Sequence, residues 1–158
     1  MAKKSNNLVG VTGECFVCAE LGKRGILALL TPKKNPLFDI VAVSPDASRT
    51  VTIKVESMGF DNEQGWKPNN QITEKKGNPN LFLILVNLRQ ENVCVYYIFH
   101  YDENIERVNE IYNRYINREK RDGGKRKEVG FMSFDFVNFT AEDQARKNNW
   151  DILRFNIK

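Results

Sequence analysis

An almost wholly apolar segment, LFLILVNL at residues 81–88, restricts the possible folds of this chain more than any other feature. A strand that is apolar on both faces has to be covered on both sides, so it belongs in the middle of a sheet between two layers. A second apolar run, VCVYYIFHY at 93–101, follows the polar residues RQEN. Together the two runs predict a β-hairpin over 81–101.

Helical and strand patterns alternate around this hairpin. Residues 10–24 predict a helix whose start Thr12 caps and whose end Gly25 marks. Residues 102–121 predict a longer amphipathic helix, with acidic residues at its start and basic residues at its end. Three strands are predicted between the first helix and the hairpin, namely a short buried strand at 26–30, a second at 37–44 and a third at 49–58.

The segments outside these elements are less regular. Residues 59–80 are rich in glycine, proline and asparagine and predict a long loop, which is often functional or mobile. Three roles are open for Trp66 in this loop. It stacks on a nucleobase, it acts as a lid, or it anchors the core. Residues 131–139 predict a short strand or an aromatic cover, and a capped helix begins at Thr140.

Length and composition favour one globular domain over residues 1–158, in which we expect residues 1–7 to be flexible. The hydrophobic fraction of 41% is enough to build a core. No run of about 18 apolar residues exists, and the basic N-terminus lacks the apolar segment of a signal peptide. We therefore expect a cytoplasmic protein. Its helices and strands predict a mixed sheet covered by helices.

The motif CFVC places Cys15 and Cys18 three positions apart, a spacing found in redox pairs and in zinc sites. The chain has three cysteines and one histidine, so a four-ligand zinc site would need all of them. On a helix this spacing puts both thiols on one apolar face. We expect them to pack there as small hydrophobic side chains, and a thiol redox protein is a third hypothesis for function.

A net charge of +4 permits a nucleic-acid partner without requiring one. Basic residues concentrate in the loop after the first strand and in residues 114–127. Such loops contact phosphates in a salt-dependent way or form an ordinary solvated surface. The candidate DNA contacts are Lys33, Lys34, Lys125, Arg126 and Lys127.

Four charged residues have the chemistry of a metal-dependent site. Glu14 lies on the first predicted helix, and Asp39 stands among apolar residues of the second strand, where an unpaired carboxylate is costly. Lys54 and Glu56 share one face of the third strand, about 6.6–6.8 Å apart. Asp39 therefore needs a metal or a cation such as Lys54. Spacing alone also fits a solvated strand face, a turn aspartate and a glutamate that favours a helix N-terminus.

Three segments, GECFVCAELGKRG, NPLFDIVAV and RTVTIKVES, resemble in order the opening helix and the second and third strands of the PD-(D/E)XK nucleases. This superfamily includes restriction endonucleases and archaeal Holliday-junction resolvases. A looser similarity continues through the hairpin, the next helix and NNWDIL. The resemblance implies a single α/β domain, a restriction endonuclease-like mixed five-stranded sheet flanked by helices. It further implies Mg²⁺- or Mn²⁺-dependent hydrolysis of DNA, by a homodimer.

The third strand departs from the family pattern, which has an acid or glutamine, one residue, and then the catalytic lysine. Here the order is Lys54, Val55, Glu56. In one interpretation the roles are exchanged, so that Glu14, Asp39 and Glu56 hold the metal and Lys54 stabilises the transition state. In the other the site has degenerated, and Lys54 pairs with Asp39 in the metal's place. The protein would then be a non-catalytic DNA-binding or protein-interaction module, with the 81–101 surface as the candidate dimer contact.

Overall fold

The structure is a computed structural model that describes residues 6–33, 35–59, 61–67, 74–89, 93–120, 123–124, 126 and 133–155. Its helices are α1 (Asn6–Lys23), α2 (Tyr101–Asn117) and α3 (Ala141–Ala145). Its strands are β1 (Leu27–Leu30), β2 (Ile40–Val43), β3 (Thr50–Met58), β4 (Gly65–Trp66), β5 (Leu81–Asn87), β6 (Val95–His100) and β7 (Phe134–Asp135). Short 3₁₀ turns follow at Phe136–Asn138 and Trp150–Leu153.

The main sheet has five strands in the order β1-β2-β3-β5-β6. The β3–β5 pair is parallel and the other three pairs are antiparallel, so the sheet is mixed as predicted. Strand β5 lies between β3 and β6, and its first six residues are buried. The prediction of an internal strand and a hairpin over 81–101 is therefore confirmed.

Apolar layers cover the two faces of this sheet. Val17 and Leu21 of α1 belong to one buried cluster with Ile53 and Val55 of β3, which confirms the predicted alternation of that strand. The second cluster contains residues of β5, β6 and α2, together with Trp66. Trp66 is 2% exposed and its indole N–H donates to the Val86 carbonyl at 3.2 Å. It is thus a core anchor, and the lid and base-stacking interpretations are wrong.

Several element boundaries differ from the sequence predictions. Helix α1 begins at Asn6, within the stretch expected to be flexible, so Thr12 is inside the helix. The Thr12 hydroxyl donates to the Leu8 carbonyl at 2.7 Å instead of capping the start. Gly25 follows the helix with φ of 74°, a conformation that glycine adopts without strain. Helix α2 ends at Asn117, because Arg118 is already extended.

Two predictions of burial need correction. Strand β1 is an edge strand with Leu27, Leu29 and Leu30 exposed, because the sheet continues on one side of it only. Cys18 packs against the first apolar cluster, whereas Cys15 is exposed. The prediction that both thiols pack on the apolar face of α1 is therefore right for Cys18 and wrong for Cys15.

The hairpin was also expected to offer a dimer surface, and that expectation is wrong. Strands β5 and β6 are buried almost throughout, because both sheet faces are covered by the protein's own layers. The outer edge of β6 is covered as well, since Ile98 N donates to the Arg146 carbonyl and Asn148 N donates to the Tyr96 carbonyl.

Within the described part of the chain, no helix is long and apolar enough to cross a membrane.

Candidate active site

Asp39 is the centre of the site, and two neighbours on β3 hold its carboxylate. It lies immediately before β2, where its backbone N–H donates to the Ile53 carbonyl at 2.9 Å. Lys54 Nζ lies 3.0 Å from Asp39 Oδ1, and the Val55 backbone N–H donates to Oδ2 at 2.8 Å. The pair is mostly buried, with 15% of the Asp39 side chain and 20% of the Lys54 side chain exposed. Lys54 is therefore the cation that the sequence analysis expected beside Asp39.

Glu14 reaches the same place from α1, which packs on β1, β2 and β3. Burial raises the pKa of this half-buried carboxyl group, and the charge of Asp39 raises it further. The charges of Lys54 and Lys33 act in the opposite direction. Glu14 is therefore within electrostatic reach of Asp39 and of both lysines, although the four residues belong to separate parts of the sequence.

Glu56 is the fourth member, two positions beyond Lys54 on the same side of β3. Burial raises its pKa to about 7, with Lys54 opposing and Asp39 reinforcing the shift. Its charge also contributes to a raised pKa of Tyr101, where burial is the main cause and Asp102 the next. Near neutral pH the Glu56 carboxyl group is therefore close to half protonated.

A polar cleft of about 250 Å³ opens beside Glu14 and Asp39, whereas Lys54 and Glu56 are not among the residues that line it. Glu14 and Asp39 line it together with Thr31, Lys33 and Asn35. The Thr31 backbone N–H donates to the Asp39 carbonyl oxygen at 2.9 Å, and its hydroxyl donates to the Phe38 carbonyl at the same distance. These bonds fix the loop after β1 against the start of β2, so that Lys33 stands beside the two carboxylates.

The oxygen donors fit a hard divalent cation such as Mg²⁺ or Mn²⁺ by their chemistry. Both oxygens of Asp39 are engaged, since Lys54 Nζ donates to Oδ1 and the Val55 backbone N–H donates to Oδ2. Among the described residues, no group of three His, Cys, Asp or Glu side chains is placed to hold a metal ion. The donor chemistry thus fits a divalent cation, whereas the positions of the described carboxylates do not form a metal site.

Of the five predicted nucleic-acid contacts, the described residues include Lys33 and Arg126. Lys33 lines the cleft, as described above. Arg126 lies instead at the end of α2, where its guanidinium group stacks over the Tyr115 ring at 4.7 Å and its Nε donates to the Arg118 carbonyl. Lys34, Lys125 and Lys127 lie outside the described residues.

Sequence reasoning missed Gly13, which precedes Glu14 and lies directly against Ser57 of β3. A glycine in a helix interior costs about 1 kcal/mol relative to alanine, so Gly13 was a detectable signal. Tyr101, which is electrostatically coupled to Glu56, was missed too, and nothing in its sequence neighbourhood points to this.

No protein-family model matches the chain, and no curated protein matches it in sequence. The chain resembles several solved structures. The bacterial homing endonuclease I-Ssp6803I is 15% identical at a TM-score of 0.58, and the match covers 96% of this chain and 95% of that one. The Holliday junction resolvase Hjc of Archaeoglobus fulgidus is 16% identical at a TM-score of 0.45, with 82% and 86% covered.

The homing endonuclease match extends over almost the whole of both chains, so it covers the sheet and both main helices. The predicted α/β fold, a mixed five-stranded sheet flanked by helices, is therefore confirmed, and it is similar to the fold of that homing endonuclease. At this level of identity the likeness establishes the fold, and the chemistry has to be argued from the site itself.

Proposed function

We propose that this protein binds DNA and hydrolyses its phosphodiester bonds as a Mg²⁺- or Mn²⁺-dependent endonuclease. One observation carries the proposal, namely the crowding of three carboxylates beside a lysine. Burial raises the pKa of both Glu14 and Glu56, and the charge of Asp39 adds to the shift, so each of these acids resists ionisation there. A divalent cation bound beside these carboxylates would offset their negative charge.

Glu14, Asp39 and Glu56 would hold the metal in this proposal. When bound, such a metal polarises phosphate oxygens and lowers the pKa of a water molecule. Lys54 would keep its positive charge beside the reacting phosphate, where negative charge develops. Lys33, on the wall of the cleft, would attract the DNA backbone.

The test is incubation of the protein with plain duplex and four-way-branched DNA in Mg²⁺ or Mn²⁺, beside the variant Asp39→Ala. We expect cleavage that requires both the metal and Asp39. A matched control is Asp151→Asn, because Asp151 is an exposed acid in the C-terminal segment. Cleavage by Asp39→Ala at the wild-type rate contradicts the proposed site.

A second candidate function is a non-catalytic binding module on the same fold. The observation in its favour is the ion pair between Lys54 and Asp39, which places an ammonium group where a metal would bind. Titration calorimetry with Mn²⁺ separates the two candidates. Metal binding that Asp39→Asn abolishes supports the nuclease, whereas DNA binding with no heat from Mn²⁺ supports the module.

A further inference from the structure

Strand β1 forms one edge of the main sheet, and its outer side is open. Just beyond β1, the Thr31 N–H donates to the Asp39 carbonyl oxygen and so points toward β2. Because backbone groups alternate in direction along a strand, the N–H and C=O groups of Ala28 and Leu30 point away from β2. No hydrogen bond from another described residue reaches these outward groups. A further strand alongside β1 would bond to them.

The opposite edge of the sheet is covered. The C-terminal segment lies along β6, where Tyr97 forms a bridge with Lys147 and Ile98 N donates to the Arg146 carbonyl. Along β1 the described part of the chain places no such segment. Residues 25–32 also contain no charged side chain, and β1 pairs with β2 without a bulge. Charges and bulges are two features that keep an edge strand from pairing with another chain, and β1 has neither.

The side chains around this open edge are apolar. Four leucines at or near it are between 48% and 62% exposed, namely Leu27, Leu29, Leu30 and Leu37. Leu27 lies beside Val43 and Leu29 beside Val41, and both valines are only partly buried. An apolar strip therefore reaches the open edge on one face of the sheet. A contiguous exposed apolar surface of this kind is typical of a protein–protein interaction site.

We propose that β1 pairs in the antiparallel direction with β1 of a second copy of this chain, so that two five-stranded sheets join into one. A twofold axis through Ala28 brings Leu27 of each copy opposite Leu29 of the other, on the same face of the joined sheet. In this register Ala28 exchanges backbone hydrogen bonds with Ala28 of the second copy. The Leu30 N–H donates to the Ile26 carbonyl across the axis.

Charge and side-chain pattern favour a second copy over another partner. An uncharged strand meets its own copy without the like-charge repulsion that destabilises facing strands. A nucleic acid finds no basic group on residues 25–32 to neutralise its phosphates. The two leucines of one face stand two positions apart, so each copy supplies the leucine that the other needs.

The size of the contact sets the expected affinity. Strand β1 has four residues, so the joined strands share only a few hydrogen bonds. We expect the buried area to fall below the roughly 800 Å² per partner of a standard interface, and the dissociation constant of the dimer to be about 10–100 µM. The inference goes beyond the proposed function and does not depend on it, because it involves neither metal nor DNA.

Sedimentation equilibrium of the full chain from about 1 to 300 µM tests the inference, since this range spans the expected dissociation constant. We expect the mean mass to rise from that of one chain toward that of two. Leu27→Lys should weaken the association at least about tenfold, because its charge would be buried against Leu29 of the second copy. The matched control is Leu8→Lys on α1, since Leu8 and Leu27 are both 57% exposed. This control should associate as the wild type does.

Two double variants test the register. In Leu27→Glu/Leu29→Lys every glutamate faces a lysine of the second copy, whereas in Leu27→Glu/Leu29→Glu every glutamate faces another glutamate. Facing charges of opposite sign stabilise a strand pair and like charges destabilise it. The first variant should therefore associate at least about tenfold more tightly than the second at low salt. Equal association of the two variants overturns the proposed pairing.

Three further results overturn the inference: a wild type that stays monomeric at the highest concentration, association that Leu27→Lys leaves unchanged, and a mean mass that rises past two chains. The last result would mean that the contact does not close about a twofold axis. Urea unfolding of every variant shows whether it is folded. If Leu27→Lys does not fold, Leu29→Lys takes its place, because it changes the facing position of the same pair.

Discussion

Among the described residues, two pairs of opposite charge have both side chains 20% exposed or less, and they differ in what surrounds them. In the pair near α3, Arg107 Nη2 lies 3.0 Å from Asp143 Oδ2, and the Asp143 side chain is 2% exposed. Thr140 donates both its backbone N–H and its hydroxyl to the same carboxylate, and its hydroxyl oxygen accepts from the Asp143 backbone N–H, which completes a capping box. In the pair at the cleft, Lys54 and Asp39 stand between two further acids, Glu14 and Glu56.

The pKa values reflect this difference. Burial acts to raise the pKa of Asp143, but the hydrogen bonds from Arg107 and Thr140 outweigh it and the pKa is lowered. At the cleft, burial and like charge raise the pKa values of Glu14 and Glu56 instead. The Asp143 carboxylate accepts hydrogen bonds from both Arg107 and Thr140, as expected of an ion pair that stabilises the fold. The acids around Lys54 instead outnumber the cations beside them. A positively charged ligand would bind to these surplus carboxylates.

The largest effect is expected for Asp143→Ala. It removes the buried carboxylate that accepts from Arg107 and from the Thr140 N–H, and we expect the free energy of unfolding to fall by about 3 kcal/mol. Urea denaturation measures this, with the exposed Asp151→Ala as the control. Mn²⁺ affinity should stay at the wild-type value, and a loss of Mn²⁺ binding would show that the two pairs are not independent.

Lys54→Met tests the pair at the cleft. We expect DNA cleavage to fall about hundredfold, because a positive charge beside the reacting phosphate is lost. Mn²⁺ should bind more tightly at the same time, because Asp39 Oδ1 is released. Gel assays and calorimetry measure the two effects, with the exposed Lys23→Met as control. Weaker Mn²⁺ binding would contradict the competition between Lys54 and the metal.

The pH dependence of stability should also distinguish the two regions. Because the pKa of Glu56 is about 7 in the folded state, well above its ordinary value, the folded protein binds more protons than the unfolded chain. The free energy of unfolding should therefore decrease as the pH rises from about 4.5 to 7, by about 1–3 kcal/mol.

Glu56→Gln should flatten this slope, since glutamine does not titrate, and the exposed Glu142→Gln should leave it unchanged. Urea unfolding at several pH values measures both. For the same reason Mn²⁺ affinity of the wild type should rise with pH through about 7, because a metal binds the deprotonated carboxylate. A Glu56→Gln variant with the wild-type slope would place the titrating group elsewhere.

The smallest effect is expected for Thr140→Ala, which removes the hydroxyl that caps α3 and donates to Asp143. The free energy of unfolding should fall by about 1 kcal/mol. Thr140→Ser keeps the hydroxyl and serves as the control. A loss as large as that of Asp143→Ala would mean that the cap, and not the ion pair, carries the stability of this region.

Much of the fold was predictable because its signals are local. The apolar run of β5, the alternation of Val51, Ile53 and Val55 in β3 and the amphipathic pattern of α2 are each visible within one segment. The burial of β1 was misjudged, because four apolar residues in a row do not reveal that the sheet ends there. Trp66 was equally ambiguous, since its partners on β5, β6 and the C-terminal segment are distant in sequence.

The sequence by itself determined the candidate residues Glu14, Asp39, Lys54 and Glu56, and the requirement that Asp39 find a cation, because a carboxylate among apolar residues is costly wherever it lies. Only the tertiary structure decided that the cation is Lys54, that Gly13 brings α1 onto Ser57, and that the pKa of Glu56 rises to about 7. These properties depend on distances and burial, which arise when segments far apart in the chain pack together.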